Sequence, residues 1–233
     1  MLIVAILARR PRRPKNRKQF KLKKMKKIAT LLAAAMLLSG TSAFAQAYIG
    51  AGYVNSSDRT TVGNNLSTTA TNGFYAGVGY TLPLSGGLSV TPGLTYMMLL
   101  SSGADSFGPL GLKGDLQEHY LNIPVHLNYG AELAPGVRGF VYAGPTVSLG
   151  LASSTKLTAS IAGFSADKTF DNYADGSDYG RADVMLGGGI GVDFNSLRFT
   201  VGYDCGMLNR YTAGNTNTTR HRNQLTAGVA FLF

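Results

Sequence analysis

Between Gln46 and Phe233, large apolar side chains recur at every second position, in runs too short for helices that would cross a bilayer. A period of two is that of a strand, whose successive side chains point to opposite faces. Residues 197–208 show it most clearly. Leu197, Phe199, Val201, Tyr203, Cys205 and Met207 share one side, and Arg198, Thr200, Gly202, Asp204 and Gly206 the other. Upstream, Val184, Leu186, Ile190 and Val192 likewise oppose Asp183, Gly187, Gly189, Gly191 and Asp193. At the end of the chain Leu225, Ala227, Val229, Phe231 and Phe233 form one stripe, and a strand closing on an aromatic suits a membrane interface.

Read this way, the chain holds eight strands, at 47–54, 73–83, 88–99, 117–129, 137–151, 179–194, 197–208 and 223–233. Short turns at 84–87, 130–136 and 195–196 alternate with long polar connections at 55–72, 100–116, 152–178 and 209–222. Outer-membrane barrels show this alternation, with turns on the periplasmic side and loops outside. The expected fold is therefore all-β: a monomeric, eight-stranded antiparallel up-and-down transmembrane β-barrel with both termini in the periplasm.

Alternation does not say which face points inward, because a soluble barrel hides its apolar side and a membrane barrel shows it to lipid. Glycine decides. Gly77, Gly79, Gly93, Gly144 and Gly228 lie on the polar face, where a solvated strand has little use for them and a narrow lumen does. On the opposite face, Tyr80, Tyr129, Phe194, Phe199, Phe231 and Phe233 cluster near the short turns or the C-terminus and read as one aromatic girdle; Tyr53, Phe74 and Tyr96 are candidates for a second.

The first 45 residues change the charge balance. Met25-Lys26-Lys27, the apolar run Ile28–Leu38 and Ala43-Phe44-Ala45 make a signal peptide with cleavage expected after Ala45. Thr41 stands where a lipoprotein would need cysteine. Residues 1–24 are a basic extension, read either as untranslated sequence ahead of a start at Met25 or as a long n-region; a nucleic-acid role would require it to survive processing. The leader carries twelve Lys and Arg and no acidic residue, so the formal charge of +10 falls to −2 over 46–233. One cysteine, Cys205, excludes an internal disulfide and a Cys-rich metal site.

The segments Tyr120-Leu121-Asn122-Ile123-Pro124-Val125-His126-Leu127-Asn128-Tyr129 and Phe140-Val141-Tyr142-Ala143-Gly144-Pro145, with the signal peptide, Gly-rich strands and terminal Phe, resemble the PorT-like, or porin-family, outer-membrane β-barrel proteins of Bacteroidetes. The resemblance covers nearly all of 46–233. It implies an eight-stranded barrel and an outer-membrane address, and it brings no catalytic motif to carry over.

Chemistry is sparse. Gly187-Gly188-Gly189-Ile190-Gly191 lacks the Lys-Ser/Thr of a phosphate loop and sits within a strand. Asp171–Asp178 partly resembles a calcium loop, but Tyr173 and Ala182 occupy its third and twelfth positions, so a solvated loop is expected. His126 belongs to the inward face of strand four and His119 to its outer end, with no nucleophile–base pair recognisable for either. Asp183, Asp193, Arg198, Asp204 and Arg138 should form a salt-bridged lumen network, since buried charges need partners.

No catalytic, cofactor-binding or metal residue is assigned, and no cofactor is expected. The expected role is structural or adhesive, through extracellular loops. A narrow channel or a transport or secretion accessory is the alternative, and a lipid-modifying outer-membrane enzyme is the less favoured one. Expected partners are outer-membrane lipid and lipopolysaccharide, with an extracellular or envelope protein reached through 152–178, and no nucleic acid. That connection can itself form a hairpin, with Leu157–Ile161 and Phe164–Phe170 about a turn at Ala162-Gly163, offering Phe164, Phe170 and Tyr173 beside Asp171, Asp175 and Asp178.

Overall fold

A computed structural model describes residues 46–107, 110–161, 164–174, 179–212 and 217–233. The leader and its cleavage site, the turn at Ala162-Gly163, and Asp175 and Asp178 lie outside the described residues.

Nine strands form one antiparallel sheet: β1 (Gln46–Val62), β2 (Asn65–Pro83), β3 (Leu88–Phe107), β4 (Leu110–Ala134), β5 (Val137–Ile161), β6 (Phe164–Asp171), β7 (Ala182–Phe194), β8 (Leu197–Gly206) and β9 (Thr218–Leu232). Following the pairings round, β1–β2–β3–β4–β5–β7–β8–β9 returns to β1, a closed ring of eight strands without a free edge. β6 stands outside the ring, on the far end of β5 alone.

The turns are chosen by backbone chemistry. Gly86, Gly87, Gly136 and Asn195 adopt positive φ at the three tight connections, where glycine and asparagine bear the left-handed conformation best. Both described chain ends share this rim, since Phe231 pairs with Ile49 and with Leu197.

The long connections prove shorter than their polarity suggests. Residues 55–62 and 65–72 continue β1 and β2, and 100–107 and 110–116 continue β3 and β4. They are hairpins standing beyond the far rim, not loops. Ser, Thr and Asn weaken a hydrophobic alternation but not a hydrogen-bond ladder, so the pattern fades where the ladder does not. β2 and β3 pair only as far as Asn72 with Leu100. Beyond that level the β1–β2 hairpin separates from a four-stranded sheet of β3, β4, β5 and β6. The hairpin expected within 152–178 is the β5–β6 part of it. Residues 179–181, read as strand, precede β7, and only Tyr179 makes a bridge, to Tyr211.

The outward face is apolar in every barrel strand. Along β8 and the residue after it, Leu197 to Met207 covers about 33 Å, or about 25 Å of height at the usual tilt, the span of the hydrocarbon band in outer-membrane barrels. Tyr129, Phe194, Phe199, Phe231 and Phe233 are exposed outward close to the turn rim, and Tyr53, Phe74 and Tyr96 are exposed outward toward the other. Between them the wall carries Val201, Ile190, Val141 and Val78.

Candidate functional site

Eight strands leave an interior that side chains must fill, and here aromatic rings fill it against glycine. Tyr48 lies over Gly79 and Gly93, Tyr75 over Gly52 and Gly228, Tyr142 over Gly189 and Gly202, and Phe140 over Gly191. A side chain at any of these glycines except Gly93, where Tyr48 Oη would be 3.1 Å away, would strike the aromatic side chain, which is why the polar face is so rich in glycine.

At the turn rim the lumen is closed by one of the expected ion pairs. Arg198 donates Nε to Asp193 Oδ1 (2.7 Å) and Nη2 to Oδ2 (2.9 Å), with a third bond to Thr81. Its guanidinium packs on Phe140, and Arg138 approaches the same carboxylate at 3.8 Å. A bidentate pair is the geometry that best repays desolvation of both charges. Asp183 and Asp204, expected in this network, are elsewhere. Asp183 Oδ1 accepts the Leu208 amide, and Asp204 accepts Gln224 Nε2 at 2.9 Å.

At the far rim lies a second and larger cluster that the sequence reading missed. Arg210 and Arg220 converge on Asp58, at 3.3 and 3.1 Å. Arg210 also donates to Tyr120 Oη, and Arg222, fully buried, stacks on the Tyr120 ring at 3.9 Å while donating to Ser148. Tyr179 covers Arg210 and Arg220 and donates to Glu118, which also accepts Ser153. A signal for this cluster was present: Arg220, Arg222 and Gln224 continue the inward register of β9, a stretch the sequence reading leaves as loop up to 222.

Tyr173 is corrected outright. Expected on an exposed recognition loop, it is 5% exposed, seated over Gly150 with the Arg181 guanidinium on its ring. Burial pushes the phenols of Tyr173 and Tyr179 above their ordinary range. Tyr173, Tyr179 and Arg181 thus supply part of the lumen plug and leave the β5–β6 pairing free.

Between the two closures is a cavity of about 150 Å³, bordered by Tyr48, Tyr75, Asn122, His126, Tyr142 and Asp204 among others. His126 faces inward as expected, stacked on Tyr142 at 4.9 Å. His119 faces outward at the far rim, where its Nδ1 meets the Tyr96 hydroxyl. Among the described residues neither histidine hydrogen bonds a serine, and no cluster of His, Cys, Asp and Glu could hold a metal ion. The Gly187–Gly191 run forms barrel wall, with Gly187 opposite Asp204 and Gly189 and Gly191 under aromatic rings.

The sheet beyond the far rim is the other candidate surface. Its registered rows place Lys113, Asp115, Lys156, Thr158 and Asp167 on one face, and Leu112, Leu116, Leu157, Ala159, Phe164 and Phe170 on the other. The polar face is the continuation of the lipid-facing side, so the polarity of the wall inverts above the rim. A bulge near Leu151 keeps β5 in step. Lys156 meets Asp167 at 2.9 Å and Lys113 meets Asp115 at 3.1 Å. The Lys156 hydrogen bond holds the Asp167 carboxyl below the usual carboxylate range, and those from Ser102 and then Lys113 do the same for Asp115.

The family profile described as outer membrane protein beta-barrel domain matches residues 43–210. Similar solved structures include Ail, the attachment invasion locus protein of Yersinia pestis, in complex with the heparin analogue sucrose octasulfate: 12% identity, 81% of this chain and 99% of that one, TM-score 0.43. Neisserial surface protein A is 13% identical over 79% and 96%, at 0.40, and the outer membrane enzyme PagL 12% over 76% and 98%, at 0.39. Compared with curated protein sequences, the chain has no significant match.

Proposed function

The chain belongs to the outer membrane protein beta-barrel domain family, and from that premise we propose that it is a non-catalytic surface-recognition or adhesion protein. In this reading the barrel is an anchor, with its turn rim and both ends of residues 46–233 in the periplasm, and the β3–β6 sheet is the contact surface. One observation carries it. Beyond the rim the sheet keeps its full hydrogen-bond ladder yet exposes Leu112, Leu157, Phe164 and Phe170 on one face, with Phe164 80% exposed. Apolar surface of that kind on an ordered scaffold marks a contact site.

The PorT-like assignment belongs to this proposal too and rests on Tyr120–Tyr129 and Phe140–Pro145, whose even-numbered residues line the lumen. The lumen contents support recognition over conduction, since Arg198–Asp193 and the Arg210–Arg222 cluster fill it at both ends.

Displaying the protein on a non-adherent host, with and without a short Gly-Ser turn in place of 157–168, tests the reading. That replacement spares Tyr173 and the plug. Binding to host cells or immobilised matrix should fall to background while the barrel stays folded and heat-modifiable. Unchanged binding would sink the proposal.

A further inference from the structure

The lumen cavity has a chemical bias that the ion pairs above it and below it do not use. Asp204 borders it and has no cationic group within 4 Å among the described residues; its polar partner is the Gln224 amide. Since Gln224 turns its Nε2 to that carboxylate, its Oε1 is free, and this atom is buried without a partner. Asn122 Oδ1 and His126 Nε2 are also buried, unpartnered and on the cavity wall. Arg198, which borders the cavity as well, is committed to both oxygens of Asp193.

Four aromatic side chains, Tyr48, Tyr75, Tyr142 and Phe140, border it too, among threonines and small apolar residues. Away from the paired Arg198, a carboxylate without a counter-charge, two amide oxygens lacking donors and several aromatic rings favour positive charge, and aromatic faces favour organic cations whose hydration is weak. Anions would meet Asp204 and the same oxygens unfavourably. The volume, about 150 Å³, is room for roughly five waters, or one small molecule of choline size.

We infer that the lumen cavity is a binding site for a small organic cation, an ammonium group no larger than choline, with Asp204 as its counter-charge and the tyrosine rings as its cage. Both ends of the lumen are closed by buried arginines, so exchange is slow and the ligand enters during folding or through opening of the far-rim cluster.

The test refolds the full barrel in detergent micelles over a range of choline chloride concentrations, removes free ligand by rapid gel filtration and measures the choline retained. Its uncharged isostere 3,3-dimethylbutan-1-ol is the control. Choline should bind saturably, and the isostere and the Asp204→Asn variant should each weaken binding by about tenfold or more. Equal binding of choline and the isostere to the parent would show a merely apolar or water-filled space and overturn the inference. So would undiminished choline binding by a folded Asp204→Asn protein, or no choline bound even after refolding in its presence.

Discussion

Above and below the far rim the same strands obey opposite rules. In the barrel wall β4 turns Leu121, Ile123, Val125 and Leu127 outward and Asn122, His126 and Asn128 inward; ten residues earlier it turns Lys113 and Asp115 outward and Leu112 and Leu116 inward. β4 itself keeps its alternation between the two, and the one irregularity there, the bulge near Leu151, lies on its partner β5. What changes is the solvent on the outer face, lipid in one case and water in the other. Side-chain polarity on a strand thus records its surroundings and not its direction, so the reversal marks where the membrane ends.

The comparison is easiest to break in the wall. Val201→Arg, mid-band and lipid-facing, should destabilise the barrel by about 2–4 kcal/mol in a lipid refolding titration, whereas Thr158→Arg on the outer face of the projecting sheet should change it by less than about 0.5 kcal/mol. Equal penalties would show that the projecting sheet is also embedded in lipid, or that neither site is.

Asp58→Asn should cost about 3–5 kcal/mol, because it leaves Arg210 and Arg220 facing each other in the lumen without their shared carboxylate. Chemical denaturation of the refolded protein measures it. Asp167→Asn, which breaks the exposed pair with Lys156, should leave the same midpoint unmoved.

A smaller effect separates the glycines. At Gly144 an added side chain meets the backbone of Val125 and His126, so Gly144→Val should destabilise by about 1–3 kcal/mol; Gly103 has open space around it, and Gly103→Val should be neutral or slightly stabilising. Thermal unfolding followed by gel mobility would rank them, and the reverse order would contradict the lumen packing.

The slightest difference lies in acid. Asp115 and Asp167 have folded pKa values below their unfolded ones, so their contribution is complete above about pH 4 and is lost as pH falls through the lower, folded value. Both are exposed. Amide exchange should therefore show the β4–β6 extension fraying at acid pH while the barrel ladder is unaffected; simultaneous loss of both would argue that they form one cooperative unit.

Much of this was legible without coordinates. Period-two alternation with glycine on the polar face fixes an inward and an outward side, so Arg198 and Asp193 could be placed in the lumen together, and His126 with them. The hairpin at 157–170 was legible too, because Leu157, Ala159 and Ile161 still alternate. The far-rim cluster was not. Asp58, Arg210, Arg220 and Arg222 lie in stretches of Ser, Thr, Asn and Arg whose composition is that of a loop, and Glu118 sits at the very start of a predicted strand; the inward register of β9 hints at Arg220 and Arg222, but pairing with neighbours is what brings those two, Asp58 and Glu118 to one lumen face. Tyr173 and Arg210 depend wholly on tertiary structure, since each reaches the lumen by a loop folding back over the mouth, and no periodicity records such a return. The sequence by itself determined the faces of the wall, because lipid and lumen impose opposite polarities residue by residue. Only the closed ring decided which buried charges meet, because partners such as Arg210 and Asp58 are 152 residues apart and are brought together by strand order alone.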